Sequence, residues 1–340
     1  MDRALGKVQR MGIRIAGIGA YVPDKVVTNA DLAKTVDTSD EWIVAKTGIV
    51  ERRFSAPEEA PSDMGYHAAL RCLSNAGVDK SAVNLIVVAC ATPDQSQPAV
   101  ACMVQERLGI AEHQAPAFDV NSVCAGFVFS LNVAQSMMLA APAQYRMALV
   151  IGTDAFSKIM NWEDRRTCVF FGDGAGAVLL SRTSADDGRR IHFRLGSDGR
   201  GSRDIQVLAG GTRVPITPEV LAKRQHRFTM DGPKVWDFAV HTVPRAILAL
   251  LADHGLKASD LDLVILHQSN LRMIQAIMEA IGLPEDRAVT TVESYGNTAA
   301  ASIPLTLARA LETGRLRPGS RVMMCGFGGG LSWGAALVDW

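Results

Sequence analysis

The chain has 340 residues, 48% of them hydrophobic, and its 35 Lys+Arg balance 35 Asp+Glu to a formal net charge of zero. A chain of that size suits one large or two medium domains around a substantial core. The balanced charge supports neither a nucleic-acid partner nor an anionic membrane surface, so neither is expected. Six scattered cysteines (Cys72, Cys90, Cys102, Cys124, Cys168 and Cys325) form no C-x-x-C pair. The N-terminal "MDRALGKVQRMGIRIAGIG" lacks the long apolar run of a signal peptide. A reducing cytoplasm with free thiols is the expected setting.

In chain order, "IRIAGIGAYVP" reads as a strand ending in a turn, and "SDMGYHAALRCLSNAG" as a helix stopped by glycine. "VNLIVVACAT" is a continuous apolar run, as expected of a strand buried on both faces. "ACMVQERLGI" reads as a helix, "APAFDVN" as a short strand and "CAGFVFSLNVAQSMMLA" as a long helix. The apolar window around residues 123 to 143 is broken by Ser130, Asn132, Gln135 and Ser136, which makes it a buried helix rather than a membrane span. "RMALVIGTDAF" and "GAVLLSR" are further strands. The alternation is that of an α/β fold with a largely buried sheet.

The second half of the chain echoes the first. "AGVDKSAVNLIVVACAT" (76–92) has the pattern of "HGLKASDLDLVILHQSN" (254–270), "RMALVIGTDAF" that of "SRVMMCGFGGG", and "GAGAVLL" that of "WGAALVD". The echo suggests two similar halves, 1–185 and 186–340, joined in the polar stretch 181–190, although any two α/β segments share such a pattern. No phosphate loop is present: "GIGAYVPDK" is not G-x-G-x-x-G, and "GFGGGLSWG" precedes a strand rather than a helix.

Cys124 lies in "FDVNSVCAGFVFSL", between a short strand and a helix. A thiol at a helix N-terminus feels the positive end of the dipole, which lowers its pKa, and Ala125 and Gly126 leave room for an acyl group. Free cysteine is also among the most buried residue types, so a core sulfur is the competing reading. His267 follows a buried strand, at the end where α/β sites collect, although a lone strand-end histidine is more often a satisfied structural residue. Asn297 sits in a Gly-Asn turn, a common structural role for asparagine. "GFGGGLSWG" offers backbone N–H groups that can approach a ligand closely, or simply a tight turn.

Six stretches taken together resemble one family, the β-ketoacyl-acyl-carrier-protein synthase III enzymes of the thiolase fold. They are "TNADLAKTVDTSDEWIVAKTGIVERRF", "FDVNSVCAGF", "FGDGAGAVLL", "LHQSNLRMI", "GNTAAASIP" and "GFGGGLSWGAALV", in that family's order over about residues 12 to 340. The resemblance implies a duplicated five-layer αβαβα thiolase-like fold and a homodimer. It implies that Cys124 takes the acyl group from an acyl-CoA, and that His267 and Asn297 act on malonyl-acyl carrier protein. The N–H groups of Cys124 and Gly329 would form an oxyanion hole. Trp42, Lys46, Arg165 and Asn270 would hold coenzyme A, and Arg272 would meet the carrier protein. Coenzyme A enters as the thioester substrate, with no other cofactor and no metal.

Several positions depart from the family's pattern. Lys46 stands where an arginine is usual, keeping the charge but not the bidentate fork. Asp237, Glu279 and Ala280 occupy positions that are typically basic on the docking face. Gln97 replaces an apolar side chain at the acyl pocket, with Phe156 and Phe228 expected nearby. The expected activity is decarboxylative condensation that starts fatty-acid chains. A relative from secondary metabolism with a non-acetyl primer is the alternative. A non-catalytic scaffold and a thioester hydrolase are the readings from other classes.

Overall fold

The structure, a computed structural model, describes residues 12–110, 115–183 and 189–340. Residues 1–11 of the stretch read for a signal peptide lie outside them, as does the expected boundary between residues 185 and 186. The first half gives β1 (Ile13–Tyr21), a small pair β2 (Lys25–Thr28) and β3 (Glu51–Phe54), β4 (Leu85–Ala89), β5 (Ala117–Val120), β6 (Met147–Ala155) and β7 (Asp173–Arg182). The second gives β8 (His192–Ser197), a small pair β9 (Ile205–Val207) and β10 (Phe228–Met230), β11 (Leu263–Leu266), β12 (Arg321–Gly328) and β13 (Ser332–Asp339). The longer helices are α1 (Asp40–Thr47), α2 (Pro61–Ala76), α3 (Val100–Leu108), α4 (Gly126–Ala140), α5 (Gly232–Asp253), α6 (Leu271–Ala280) and α7 (Ser302–Glu312).

Apolar continuity decides the strands. Every residue of β4 and β11 is buried, because each strand is covered on both faces. One sheet runs β1-β7-β6-β4-β5 and the other β11-β12-β13-β8. β4 pairs in parallel with β5 and β6, while β7 is antiparallel to β6 and β1. The second sheet repeats this: β11 and β12 are parallel, and β13 is antiparallel to β12 and β8. A single parallel bridge, Val264 to Ala288, stands where β5 stands beside β4. The duplication expected from the sequence echo is thus present strand by strand.

Helix α2 begins with a proline in its first turn and a bond from Ala60 N–H to Asp63 Oδ2 (2.8 Å); it ends at left-handed Gly77. It packs on β1, β6 and β7, with α3 beside it, as one outer layer. Helices α5 and α6 pair with each other, and α5 covers β8, β12 and β13 as the opposite outer layer. Between the sheets lie α4 and α7, each touching strands of both. The layers therefore run α, β, α, β, α. Residues 123–140 and 232–253 are long and apolar enough to cross a membrane. The first of these spans forms part of the central layer. Phe127, Leu131 and Met138 of α4 are fully buried there, and each contributes about 1.5–3 kcal/mol.

Candidate active site

Between β5 and α4 the chain makes a tight 3-10 turn, Val123–Ala125. It opens with Val123 at φ 45°, a left-handed conformation that is costly for a β-branched side chain. Asn121 Oδ1 holds the turn by accepting the Val123 N–H at 3.1 Å. Cys124 follows, 7% exposed. Burial raises the Cys124 thiol well above its ordinary value, the negative charge of Asp154 raises it further, and the residue's own N–H opposes both. The low-pKa thiolate expected from a helix N-terminus is therefore corrected. Desolvation of the sulfur outweighs the dipole of the turn, and the resting group is a thiol.

His267 leaves the end of β11, where its N–H donates to the Cys325 carbonyl at 2.8 Å. Its ring lies edge-on to Phe327, with centroids 5.3 Å apart. Burial alone lowers its pKa to about 3, so the imidazole is neutral around pH 7. Its Nδ1 is buried without a hydrogen-bond partner. Asn297 follows left-handed Gly296, where a Cβ would stand 2.7 Å from the Phe170 carbonyl oxygen. Its N–H donates to that carbonyl at 2.8 Å, and its own carbonyl accepts from Gly172 N–H at 3.0 Å. The side-chain Oδ1 accepts from Ala299 N–H at 2.9 Å, which fixes the amide and leaves Nδ2 as the donor.

Three distant segments thus bring Cys124, His267 and Asn297 to one cavity of about 340 Å³. Lys46, Arg166 and Trp236 line its exposed rim, and the three candidate residues are buried within it. Phe156 and Phe228 line it too, as expected, and both pack on Phe171 with centroids 4.9 Å apart. Gln97 does not line this cavity and is exposed, its carbonyl accepting from Gln95 Nε2. Trp42 and Asn270 line the wall. Asn270 also caps α6 by accepting the Met273 N–H at 2.8 Å. Arg165 is not a lining residue, but its guanidinium lies 5.3 Å over the Trp42 ring and is tied to the Asp37 carbonyl at 2.8 Å. Arg272 is exposed and links α6 to the Ala45 carbonyl at 3.3 Å. Asp237, Glu279 and Ala280 are exposed on α5 and α6.

Sequence reasoning missed Arg166 and Gly328. A Cβ on Gly328 would stand 2.9 Å from Cys124 Cβ and 3.0 Å from its Sγ, so the sulfur requires a glycine there. A Cβ on Gly329 would meet only the Val123 methyl at 3.2 Å and Ile205 beyond it. The ladder of β12 with β13 ends at Gly328 opposite Ser332, and Gly329 is the first residue past it.

The description "3-Oxoacyl-[acyl-carrier-protein (ACP)] synthase III" matches residues 118–199, and its C-terminal counterpart matches residues 251–340. A β-ketoacyl-[acyl-carrier-protein] synthase III of Symbiobacterium thermophilum is 43% identical over 98% of this chain and 99% of its own. The crystal structure of 3-oxoacyl-[acyl-carrier-protein] synthase III from Aquifex aeolicus superposes with TM-score 0.88 at 36% identity, covering 97% of this chain and 100% of its own. The priming β-ketosynthase of the R1128 polyketide pathway gives TM-score 0.88 at 31% identity, covering 96% of each chain. By fold and by identity over nearly its whole length, the chain belongs to the β-ketoacyl-[acyl-carrier-protein] synthase III family, condensing enzymes of the thiolase fold.

Proposed function

We propose that this protein condenses an acyl-CoA primer with malonyl-acyl carrier protein, releasing CO2 and giving a β-ketoacyl-acyl carrier protein that begins a fatty-acid chain. The meeting of Cys124, His267 and Asn297 in one cavity with a cationic rim is the observation that carries this reading. In the first step Cys124 Sγ bonds to the thioester carbon, the C–S bond to CoA breaks, and the thiol proton leaves with CoA. His267 is the imidazole lining the cavity that can relay that proton. In the second step malonyl loses CO2 and its electron pair passes to an enolate oxygen. Neutral His267 and Asn297 Nδ2 donate to that oxygen, each such donor being worth about 3 kcal/mol. The carbanion then attacks the acyl carbon, the bond to Sγ breaks, and Cys124 regains a proton. The N–H groups of Cys124 and Gly329 steady the oxyanion in the acyl-transfer steps, and the position of Gly329 past the end of the ladder supports that role.

Trp42 and Arg165 take the adenine of coenzyme A, Lys46 its phosphates and Asn270 its pantetheine arm. A ring between two planar groups needs about 3.5 Å on each side. Arg165, now 5.3 Å from the Trp42 ring, therefore swings outward by about 2 Å on binding. Arg272 meets the carrier protein, and Phe156 and Phe228 bound the acyl group. The end position of β5 in its sheet, with the exposed 93–98 loop nearby, supports a homodimer in which Gln97 reaches the partner's pocket. Six free cysteines fit a cytoplasmic setting.

The exposed carboxylates of Asp237 and Glu279 favour a second reading, condensation of a non-acetyl primer outside fatty-acid synthesis. Intact-mass measurement with a panel of acyl-CoAs, followed by product assay with malonyl-acyl carrier protein, separates the two. An acetyl adduct that yields acetoacetyl product supports the first. Loading by another acyl-CoA alone supports the second. Loading without any condensation in the presence of malonyl donor contradicts both.

A further inference from the structure

We propose that Asp154 is a positioning residue for Asn297, holding the Asn297–Ala301 turn from the opposite sheet so that the amide points its donor into the cavity. The proposal rests on the reading of Asn297 given above. Asp154 lies near the end of β6 and is completely buried. Its Oδ1 accepts four hydrogen bonds from one loop: Ala91 N–H at 2.8 Å, Thr92 N–H at 2.9 Å, Thr92 Oγ1 at 2.8 Å and the Cys90 thiol at 3.8 Å. Thr92 Oγ1 in turn accepts the Ala155 N–H at 2.8 Å, which fixes the hydroxyl's direction. Its Oδ2 accepts one bond from the other half of the molecule, Ala300 N–H at 3.0 Å.

That single bond bears on Asn297. Ala299, between the two residues, has φ 48°, a conformation that residues other than glycine adopt only when their surroundings compel it. Its N–H holds Asn297 Oδ1, and the next N–H is the one held by Asp154. Releasing Ala300 frees the Ala299 peptide to turn, and the amide of Asn297 loses the partner that orients it.

The thiols of Cys90 and Cys124 are the titratable groups that face Asp154; Cys90 Sγ is 3.8 Å from Oδ1, and Asp94 and Asp119 act on Cys90 from outside. Both thiols are held protonated by burial. Burial raises the Asp154 carboxyl to about 6 against the four bonds that lower it. A proton arriving there settles on Oδ2, since Oδ1 already faces the donors of that loop, and the uncharged oxygen holds the Ala300 N–H more weakly than the carboxylate does.

The test uses the two half-reactions of the full-length protein. Asp154→Asn keeps the shape, but its amide turns oxygen toward Ala91 and Thr92 and presents N–H to N–H at Ala300. Condensation from enzyme preloaded with acetyl-CoA is expected to fall by about tenfold or more, while loading of Cys124 is not slowed, since losing the Asp154 charge favours ionisation of the thiol. A folded variant that condenses at the wild-type rate overturns the proposal, as does an equal loss in both steps. Should the variant not fold, the wild-type profile decides. Condensation by preloaded enzyme is expected to fall as pH drops through about 6, where Asp154 takes up its proton. Condensation flat from about pH 5 to 8 overturns the proposal. Asn297→Ala is the control: if it condenses normally, the reading of Asn297 fails; if it does not while Asp154→Asn does, only the role of Asp154 fails.

Discussion

At residues 121–126 the chain reads NSVCAG, at 297–302 it reads NTAAAS, and the two segments fold alike. In each, an asparagine oxygen accepts the N–H two residues on, from Val123 at 3.1 Å and from Ala299 at 2.9 Å. In each, that second residue is left-handed without being glycine, at φ 45° and 48°. A 3-10 turn follows, then a helix of the central layer. Each turn also packs on the other half's sheet. A Cβ on Gly326 of β12 would meet the Cys124 carbonyl oxygen at 3.0 Å, and one on Gly152 of β6 the Ala300 carbonyl oxygen at 2.3 Å.

Two residues further along those strands the halves part. β6 carries Asp154, whose carboxylate takes the Ala300 N–H. β12 carries Gly328, which leaves space at the sulfur of Cys124. The N–H at this place in the turn suits an anion in both halves. One half meets it with a built-in side-chain carboxylate and so ties the two halves together. On the proposed reading, the other keeps it for the oxyanion that forms at the acyl carbon. Duplication supplied two equivalent turns, which part at the turn residue, Cys124 against Ala300, and at the strand residue facing it, Gly328 against Asp154.

The largest effect that breaks this comparison is Cys124→Ala, which gives the first turn the alanine of the second. Acyl-adduct mass is expected to vanish and turnover to fall by at least about a thousandfold, with an unchanged melting temperature. An adduct that survives would move the nucleophile elsewhere. His267→Ala comes next, with condensation from preloaded enzyme reduced about a hundredfold to a thousandfold and loading still measurable. Because His267 is already neutral above about pH 3, the fall in wild-type condensation near pH 6 should belong to Asp154 and be absent from the residual activity of Asp154→Asn, with no separate histidine inflection near the ordinary value of about 6.5. Loading, by contrast, should climb with pH, since burial holds the Cys124 thiol protonated at neutrality. A loading rate that is flat between about pH 6 and 9 would contradict that state of the sulfur.

The glycines offer a finer test. Gly328→Ala puts a methyl about 3 Å from Cys124 Sγ and should slow loading about tenfold or more. Gly329→Ala meets only the Val123 methyl and Ile205, so its effect on loading should be smaller. Loading rates of the two variants with acetyl-CoA check the order, and the reverse order would show that Gly329 is the residue crowding the sulfur.

Most of the framework could be read before any coordinates. Runs such as "VNLIVVACAT" became strands because only a doubly covered strand buries so many consecutive apolar residues. The echo between halves was visible for the same reason. Cys124, His267 and Asn297 were individually ambiguous, and the family pattern singled them out. What stayed hidden was set by tertiary contact. Nothing in "NSVCAG" marks Val123 as left-handed, since no glycine is needed there. For Cys124 the sequence points to a lowered pKa, because it shows a helix start but not the desolvation around the sulfur. Three successive glycines look alike in sequence, yet only Gly328 abuts the sulfur. Asp154 gave no signal because its partner Ala300 is 146 residues away.

The smallest effect, and the sharpest use of the comparison, is Ala300→Cys, which gives the second turn the residue of the first. If the turn alone made a cysteine reactive, the variant would carry two acyl groups. Ala300 does not line the cavity that holds Cys124, and its N–H already holds Asp154. A thiol there would be buried beside a carboxylate, and both raise its pKa. Intact-mass analysis after acetyl-CoA treatment is therefore expected to find one acetyl group per chain, with stability lowered by about 1–3 kcal/mol for overpacking. A second acetyl group, lost again in the Ala300→Ser variant, would show that the turn itself, and not the cavity around it, makes the nucleophile.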